Sequence, residues 1–336
     1  MLSVLWHMKI NLRFYIPFFL FLIGQAIYAE KLPLSEIIPS NGGMKKGIGY
    51  KMTPQGMLKM DIYQPGLRKD SSLCPTVIFI HGGSWMHGNR KEITEIFSGT
   101  YLKTLLEAGF IVVSLDYRLV SKDKSVNYPA PLADCKDAVK WIKKYGKHYG
   151  IDTRRMALMG TSAGAHLALM TAYAPDSMAV GDTSVCHYDT RVECVVDFYG
   201  PTKLSSLLKA GLTKPLVGMA SLLVSSKTLE YRNTLLWAFT GESAAHPSKR
   251  KKKCRRYSPC EYVQGAVPTL IFHGTKDKLV PISQSKLLVK KMIKMGMDVN
   301  LHVLKGQDHV FPTISRQQED GVIKETIDFL RRYLNN

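Results

Sequence analysis

The stretch MALMGTSAGAHLALM, residues 156–170, joins an apolar run to a Gly-Thr-Ser-Ala-Gly turn, after which small and apolar residues follow at helical spacing. The run before the turn predicts a strand, and the residues after it predict a helix. A strand-to-helix turn this tight needs small neighbours, and Gly160 and Gly164 supply them around Ser162. The turn lifts the hydroxyl above the sheet, where the helix N-terminus favours developing negative charge. Although G-x-S-x-G is common by chance, this setting makes Ser162 a candidate nucleophile.

Short apolar runs alternate with helical patterns along most of the remaining chain. After a predicted hairpin at residues 47–63, strands are predicted at residues 76–80, 110–115, 155–159, 192–198, 269–272 and 299–304. Helices are predicted at residues 93–108, 130–149, 163–174, 283–295 and 310–334. This alternation is typical of an α/β fold with a mostly parallel central sheet and helices on both faces. Residues 201–256 lack it, and their apolar patches predict extra helices over the edge or top of the sheet.

A glycine-rich turn, His81-Gly82-Gly83-Ser84-Trp85, directly follows the predicted strand at residues 76–80. Glycines let backbone N–H groups point into a small space, as an oxyanion hole requires. We expect the donors to be the N–H groups of Gly83, Ser84 and Ala163. Supporting roles are expected for His81, Gly82, Gly160 and Gly164, with His81 binding neighbouring loops through hydrogen bonds.

An acid and a histidine follow the last two predicted strands, at Asp277 and His309. The order nucleophile, acid, histidine, with both partners in loops after late strands, matches the requirement of this fold for a triad. Asp197 is an alternative acid because it lies near a strand end. Asp308 is disfavoured because adjacent side chains seldom face each other. His166 follows Ser162 on a packed helix face, so we expect a core residue there.

Six sequence segments together resemble the α/β-hydrolase fold, and within it the esterase/lipase group related to hormone-sensitive lipase. They are HGGSW (81–85), DYRL (116–119), YGIDTRRMALMGTSAGAHLAL (149–169), DFYGP (197–201), VPTLIFHGTKDKLVP (267–281) and DHVF (308–311). The closer resemblance is to small capless bacterial carbohydrate esterases of the feruloyl and acetylxylan type. Departures from that pattern occur at Ser84, Lys203, Cys254 and Cys260, outside the proposed triad, and they bear on pocket shape and substrate.

The N-terminus has the pattern of an export signal. Basic residues precede an apolar run at residues 14–23, and Ala29 offers a small residue for cleavage. We therefore expect residues 1–29 to be a signal peptide, residues 30–46 a lead-in, and residues 47–336 a catalytic domain with a helical insertion at about 201–256. The run is too short to predict a membrane-spanning helix. We expect a secreted or periplasmic protein, with translation starting at Met1 or at Met8.

The chain has 336 residues, a formal net charge of +19 and six cysteines. Its basic residues are mostly scattered and no nucleic-acid motif accompanies them, so no nucleic-acid partner is expected. The basic run at residues 249–256 predicts a solvated surface.

Cys186 with Cys194, and Cys254 with Cys260, could close small loops in an oxidising compartment, although spacing does not fix connectivity. Cys135 is expected to be a buried free thiol. No cysteine pair has C-x-x-C spacing, and we expect neither a metal nor a cofactor.

These features favour a serine hydrolase that cleaves carboxylic esters through an acyl-enzyme, with a small-molecule or oligosaccharide ester as substrate. A carbohydrate acyl ester of the acetylxylan or feruloyl type is the first expectation. The alternatives are a lipase or short-chain carboxylesterase, a peptidase or amidase with the same triad, and an inactive binding protein. A lipase would need an apolar lid, for which residues 204–236 are the candidate: Leu207, Leu208, Leu212, Leu216, Leu222 and Leu223 lie in it.

Overall fold

A computed structural model of the chain describes residues 31–66, 72–179, 181–208, 226–241 and 246–335. The expected signal peptide lies outside these residues, as do Leu212, Leu216, Leu222 and Leu223 of the candidate lid. Within the described part of the chain, none of the helices combines the length and the apolar character needed to cross a bilayer.

Eight strands form one sheet in the order β1-β2-β4-β3-β5-β6-β7-β8. They are β1 (Gly43–Thr53), β2 (Gly56–Gln64), β3 (Cys74–Ile80), β4 (Ile111–Leu115), β5 (Ile151–Thr161), β6 (Cys194–Phe198), β7 (Thr269–Gly274) and β8 (Val299–Leu304). The pairs β1–β2 and β2–β4 are antiparallel and the other pairs are parallel. The predicted mostly parallel α/β sheet is therefore confirmed.

Helices cover both faces of this sheet. Among the described residues they are α1 (Leu34–Ile37), α2 (Thr100–Glu107), α3 (Pro129–Tyr145), α4 (Ala163–Tyr173), α5 (Leu204–Leu207), α6 (Ser226–Thr240), α7 (Pro247–Arg256), α8 (Ser283–Lys294) and α9 (Arg316–Leu334). Apolar residues of α3, α4 and α8 pack into one core cluster, and those of α2 and α9 pack into a second. Burial from both sides explains why every residue of β3 is buried, in a run without polar alternation.

The parallel register brings several loops to one edge of the sheet. Ile80 at the end of β3 pairs with Gly160, and Gly160 pairs with Asp197 of β6. On the other side of β6, Gly274 of β7 pairs with Leu304 of β8. The loops after these strands therefore meet at the carboxyl edge, where ligands bind in open parallel sheets.

The prediction of one helix over residues 93–108 was wrong. Two 3₁₀ segments, Arg90–Thr94 and Ile96–Gly99, precede α2. Phe97 and Ser98 have φ values of 48° and 55°, in the left-handed region, which breaks a right-handed helix. Neither residue is a glycine, but Gly99 follows them with φ 96°, and a glycine inside a helical pattern is the local signal for the break.

The helix predicted over residues 310–334 begins later, at Arg316. Val310 and Phe311 have positive φ values, so the chain after His309 cannot enter a helix directly. Ser315 caps the helix and forms a reciprocal capping box with Gln318. The intervening residues form the loop that holds His309.

The insertion at residues 201–256 contributes α5, α6 and α7 in its described parts. Leu208 and Leu236 of the candidate lid are buried against the main core. The segment leaves and rejoins the domain at one point, since Cys260 donates its N–H to the carbonyl oxygen of Thr202 at 3.1 Å. The basic run forms most of α7 and is exposed, except for the buried Arg250 and Cys254.

All six cysteines carry free thiols, and five of them are buried, including Cys135 as expected. The exception is Cys186, which is exposed. Burial raises the pKa of the Cys254 thiol to about 12 and that of Cys260 to about 11. These two thiols are therefore protonated at neutral pH and poor nucleophiles.

Candidate active site

Ser162 lies at the turn between β5 and α4, with φ 50° and ψ −115°. A Cβ atom on Gly160 would come within 2.6 Å of the Ala165 nitrogen, and one on Gly164 would overlap the carbonyl oxygens of Ile80 and His81. Both glycines are thus required by the close approach of backbone around the turn. Glycines therefore stand two residues before and two residues after Ser162, because a side chain at either position would clash with neighbouring backbone.

The structure brings Ser162, His309 and Asp277 into one hydrogen-bonded chain. His309 Nε2 lies 3.0 Å from Ser162 Oγ, and His309 Nδ1 lies 2.7 Å from Asp277 Oδ2. Because the ionised carboxylate can only accept, Nδ1 carries the proton, and Nε2 is left to accept from the serine hydroxyl. All three side chains are buried or nearly so, which shields these bonds from water.

Asp277 accepts hydrogen bonds from three donors, and it also lies near His273 Nε2, whose shorter contact is with the Val280 carbonyl oxygen at 2.7 Å. Asp277 Oδ1 accepts the N–H groups of Leu279 at 3.0 Å and Val280 at 2.8 Å, while His273 Nε2 lies 3.3 Å from Oδ2 beside the His309 contact. Burial raises the pKa of Asp277, but the hydrogen bonds from His273 and His309 outweigh it and lower the pKa to about 2. Asp277 is therefore ionised throughout the neutral range, as a group that stabilises an imidazolium must be.

The two competing acids contact other groups. Asp197 Oδ1 accepts the N–H of Gly200 at 2.7 Å, and burial raises the pKa of this carboxyl to about 6. Asp308 Oδ1 accepts the backbone N–H of His309 at 2.8 Å and that of Lys278 at 3.1 Å. Both carboxylates accept hydrogen bonds from backbone N–H groups, whereas Asp277 binds the imidazole of His309.

The glycine-rich turn after β3 has the geometry of an oxyanion loop. Gly83 has φ +95°, and a Cβ atom there would overlap the His87 carbonyl, so only glycine fits. Ser84 and Trp85 also have positive φ values. Within the described ranges, the N–H groups of Gly83, Ser84 and Ala163 have no hydrogen-bond acceptor. These are the three donors expected from the sequence.

Tyr117 braces this loop. Its hydroxyl lies within donating distance of the carbonyl oxygens of His81, at 3.0 Å, and Gly82, at 3.1 Å, and its ring stacks on His81 with centroids 4.2 Å apart. Asp116 accepts from the Arg90 guanidinium at 2.6 Å. His81 is buried and its Nδ1 lies 2.8 Å from the Gly82 oxygen, while burial lowers its pKa to about 4. These contacts agree with the structural role that the sequence predicts for His81, and they show that Tyr117 and Asp116 brace this loop.

His166 is a satisfied core residue, as predicted. Its Nδ1 accepts from Trp85 Nε1 at 3.2 Å and lies 3.3 Å from the Tyr128 hydroxyl, while Nε2 lies 2.8 Å from the Tyr257 carbonyl oxygen. Nε2 must therefore carry the proton. Burial lowers the pKa of His166 to about 4, which keeps it neutral.

Two residues at the site were missed by sequence reasoning. His273 shares Asp277 with His309, and its i,i+4 spacing from Asp277 after a strand was the available signal. Glu92 accepts from both the Gly82 N–H and the Thr161 hydroxyl. Nothing in the sequence links residue 92 to residue 161, because the contact depends on how the two loops meet.

A cavity of about 450 Å³ is lined by chain neighbours of two triad residues, whereas Ser162, Asp277, His309 and the three oxyanion donors are not part of its wall. Tyr199, whose ring meets that of His309 edge-on at 4.7 Å, forms part of its wall, together with Thr161 and Val310, the neighbours of Ser162 and His309. Half of the remaining wall residues are apolar or aromatic: Ile96, Phe97, Phe198, Phe311, Pro312 and Ile314. The charged residues of the wall are Glu92, Glu95, Arg316 and Glu319.

Comparison with known proteins identifies relatives of two kinds. The chain is 26% identical to the esterase LipC of Mycobacterium tuberculosis over 73% of its own length and 55% of LipC, and 27% identical to LipQ of the same organism over 76% and 55%. It is also 25% identical to a non-reducing polyketide synthase, Preu6 of Preussia isomera, over 85% of this chain and 14% of the synthase. The chain thus spans about half the length of the two esterases and a small part of the synthase.

The fold is shared with an esterase of known structure. Est2 of Thermogutta terrifontis, with propionate bound, superimposes with a TM-score of 0.64 at 22% identity, covering 90% of this chain and 97% of Est2. The family model BD-FAE matches residues 60–292, which include Ser162 and Asp277 and end before His309. Since the match spans more than half of the chain, this protein belongs to the BD-FAE family of esterases with the α/β-hydrolase fold.

Proposed function

We propose that this protein hydrolyses carboxylic esters through a covalent acyl-enzyme on Ser162. The observation that carries the proposal is the continuous chain of hydrogen bonds from Ser162 through His309 to Asp277. It lies at the carboxyl edge of the sheet together with the free N–H groups of the oxyanion loop. Membership of an esterase family supports the same chemistry.

Acylation begins when Ser162 Oγ attacks the ester carbonyl carbon and His309 Nε2 takes the hydroxyl proton. The carbonyl oxygen becomes an oxyanion, which the N–H groups of Gly83, Ser84 and Ala163 stabilise. Collapse of this intermediate breaks the bond to the alcohol oxygen, and His309 donates its proton to that oxygen. The products are a free alcohol and an acyl ester of Ser162.

Deacylation repeats the sequence with water as the nucleophile. His309 Nε2 takes a proton from water, the hydroxide attacks the acyl carbon, and the same three N–H groups hold the second oxyanion. Collapse releases the carboxylic acid and returns the proton to Ser162 Oγ. Asp277 stays ionised throughout, holds the imidazole orientation and stabilises the imidazolium that forms twice per turnover.

For the substrate, we propose an acyl ester of a carbohydrate, with an aromatic acyl group of the feruloyl type preferred over acetyl. An acetyl group would occupy only a small part of a cavity of about 450 Å³. Phe97, Phe198, Tyr199 and Phe311 line it, and flat aromatic walls suit an aromatic acyl group. The charged groups at the cavity also make it a poor match for a long alkyl chain, which disfavours a lipase.

Export of the protein, with cleavage of residues 1–29, is part of this proposal and is supported by the charge and apolar pattern of that segment. An exported esterase without a large lid domain could reach ester groups on a polysaccharide. The amidase alternative would use the same triad, and the inactive alternative would leave it idle. Turnover of an anilide would indicate the amidase alternative, and absence of any turnover would indicate the inactive one.

The decisive experiment is a substrate panel. Initial rates are measured on p-nitrophenyl esters of increasing chain length, methyl ferulate, acetylated xylan and a p-nitroanilide, with Ser162→Ala as blank. The highest kcat/KM is expected on methyl ferulate, with low activity on long-chain esters and the anilide. A maximum on long-chain esters would indicate a lipase, a maximum on the anilide an amidase, and absence of turnover above the blank a binding protein.

A further inference from the structure

Glu92 makes an unusual set of contacts for a residue outside the proposed triad. Its Oε1 accepts from the Gly82 N–H at 3.1 Å and from the Thr161 hydroxyl at 2.5 Å, and Oε2 lies 3.1 Å from the same Gly82 nitrogen. It lies in the short 3₁₀ segment Arg90–Thr94, which follows the oxyanion loop. One carboxylate therefore joins two separate loops.

The two contacted residues are the immediate neighbours of the proposed reactive groups. Gly82 precedes Gly83, whose N–H is an oxyanion donor, and Thr161 precedes Ser162. The backbone pairing of β3 with β5 ends at Ile80 and Gly160, one or two residues earlier. Beyond that last pair, the Glu92 carboxylate continues the connection between the two strands by side-chain hydrogen bonds.

The separation of these loops matters for catalysis. An oxyanion donor acts only if it lies about 2.7–3.1 Å from the oxygen that becomes charged, and that position is set by the attack of Ser162 Oγ. A displacement of about 1 Å in such a site can cost on the order of 100-fold in rate. A link between the donor loop and the nucleophile turn therefore acts on the transition state more than on the bound ester.

We propose that Glu92 is a positioning residue that fixes the oxyanion loop, residues 81–85, relative to the nucleophile turn at Ser162. Glu92 contacts no reacting atom and acts through Gly82 and Thr161. This role rests on the proposed function, because it has meaning only if Ser162 and the loop act on one substrate.

The test compares Glu92→Ala and Glu92→Gln with a matched control, Glu107→Gln. Glu107 lies in α2, which follows the two 3₁₀ segments, and its side chain is exposed and outside the cavity wall. The substrate is p-nitrophenyl acetate, whose small acyl group does not depend on filling the cavity that Glu92 also lines. Each kcat is divided by the fraction of molecules that a fluorophosphonate labels, which removes the contribution of unfolded protein.

In Glu92→Ala, kcat is expected to fall about 100-fold, as for loss of an oxyanion donor, with KM within about twofold of the wild type. Affinity for a trifluoromethyl ketone, which forms a tetrahedral adduct with the serine, should fall in proportion to kcat. Glu107→Gln should retain wild-type kcat. A residue that merely stabilised the fold would lower the labelled fraction and leave the corrected kcat unchanged.

Variants of Thr161 provide a second, independent test of the same hydrogen bond. Thr161→Val removes the hydroxyl donor and should lower kcat, while Thr161→Ser keeps the hydroxyl and should retain it. Adding Thr161→Val to Glu92→Ala should cost nothing further, because the bond they share is already lost. If Glu92→Ala does not fold, Glu92→Gln and Thr161→Val decide the question.

A corrected kcat within about threefold of the wild type in all folded Glu92 and Thr161→Val variants would overturn the role of Glu92. That outcome differs from failure of the proposed function, in which the wild type itself shows no turnover above the Ser162→Ala blank. If the wild type turns over the ester and the corrected kcat of the Glu92 variants is unchanged, only the positioning role is rejected.

Discussion

Asp277 Oδ2 lies 2.7 Å from His309 Nδ1, whereas Asp308, the sequence neighbour of His309, accepts only backbone N–H groups. The acid that orients the imidazole is therefore contributed by the adjacent strand, 32 residues earlier in the chain. Loops at the same end of neighbouring parallel strands, which are about 4.8 Å apart, bring such side chains together.

This relationship predicts that Asp277→Asn lowers kcat by up to about four orders of magnitude, because the imidazole loses its tautomer and the stabilisation of its charged form. Asp308→Asn and Asp197→Asn serve as matched controls and should stay near wild-type kcat. Circular dichroism checks the fold of each variant. A wild-type kcat in Asp277→Asn, together with loss of activity in folded Asp197→Asn, would assign the acid to β6 instead.

Ser162 should be the one residue that reacts with a fluorophosphonate probe, because its hydroxyl is hydrogen-bonded to His309. Intact mass and peptide mapping should place one label on Ser162. Ser162→Ala should abolish labelling and lower kcat by about five to six orders of magnitude. Ser184→Ala, at an exposed serine, is the control and should label normally. Undiminished labelling of Ser162→Ala would refute the assignment.

The cavity of about 450 Å³ predicts a change of selectivity when it is filled. Ile314→Trp places a larger side chain in its wall, so kcat/KM for methyl ferulate should fall about tenfold or more, equivalent to about 1.4 kcal/mol. The value for p-nitrophenyl acetate should stay within about twofold. Ile293→Trp, at a position 64% exposed, controls for the added indole. Equal losses on both esters would show that the cavity does not receive the acyl group.

The two buried histidines predict a loss of stability in weak acid. His81 and His166 have pKa values of about 4 in the folded protein, because burial disfavours their charged forms, against about 6.5 in an unfolded chain. Between these values the unfolded state binds more protons, so the free energy of unfolding falls as pH drops from about 6.5 to 4. Each histidine contributes about 3 kcal/mol to that fall.

Asp197 acts in the opposite direction over part of this range, because its folded pKa of about 6 lies above the unfolded value. The measurement is therefore a comparison of variants. Urea unfolding at several pH values between 7.5 and 4 should show a smaller decrease for His166→Gln than for the wild type. The same pH dependence in both proteins would show that His166 is not protonated on unfolding in this range.

Cleavage of the N-terminal segment has a direct readout. If residues 1–29 are removed on export, the intact mass of the exported protein should correspond to a chain that begins at Glu30, because the small Ala29 follows the apolar run. Ala29→Leu, which removes the small residue at the cleavage position, should block processing. An exported protein that retains residues 14–23 would indicate an anchor.

The parts of the site that sequence reasoning located are those with local causes. The turn at Ser162 is specified by two glycines within two residues of it, and the oxyanion loop by glycines directly after a strand. Phe97, Ser98, Val310 and Phe311 adopt left-handed backbone although none is a glycine, and the only local signals for these breaks are the neighbouring Gly99 and Pro312. Glu92 meets Thr161 across 69 residues of sequence, and such a contact follows from the tertiary arrangement of loops.

The hydrogen bond between Cys260 and Thr202 closes residues 203–259 into a loop with fixed ends. The entropic cost of such a loop rises only about 0.6 kcal/mol for each doubling of its length. Its length can therefore vary at small entropic cost, provided that the core packing of Leu208 and Leu236 and the hydrogen bond between His166 and the Tyr257 carbonyl oxygen are kept. Exchange of this one segment between homologous enzymes is consequently a practical route to chimeras in which the reaction is retained and the set of accepted esters is changed.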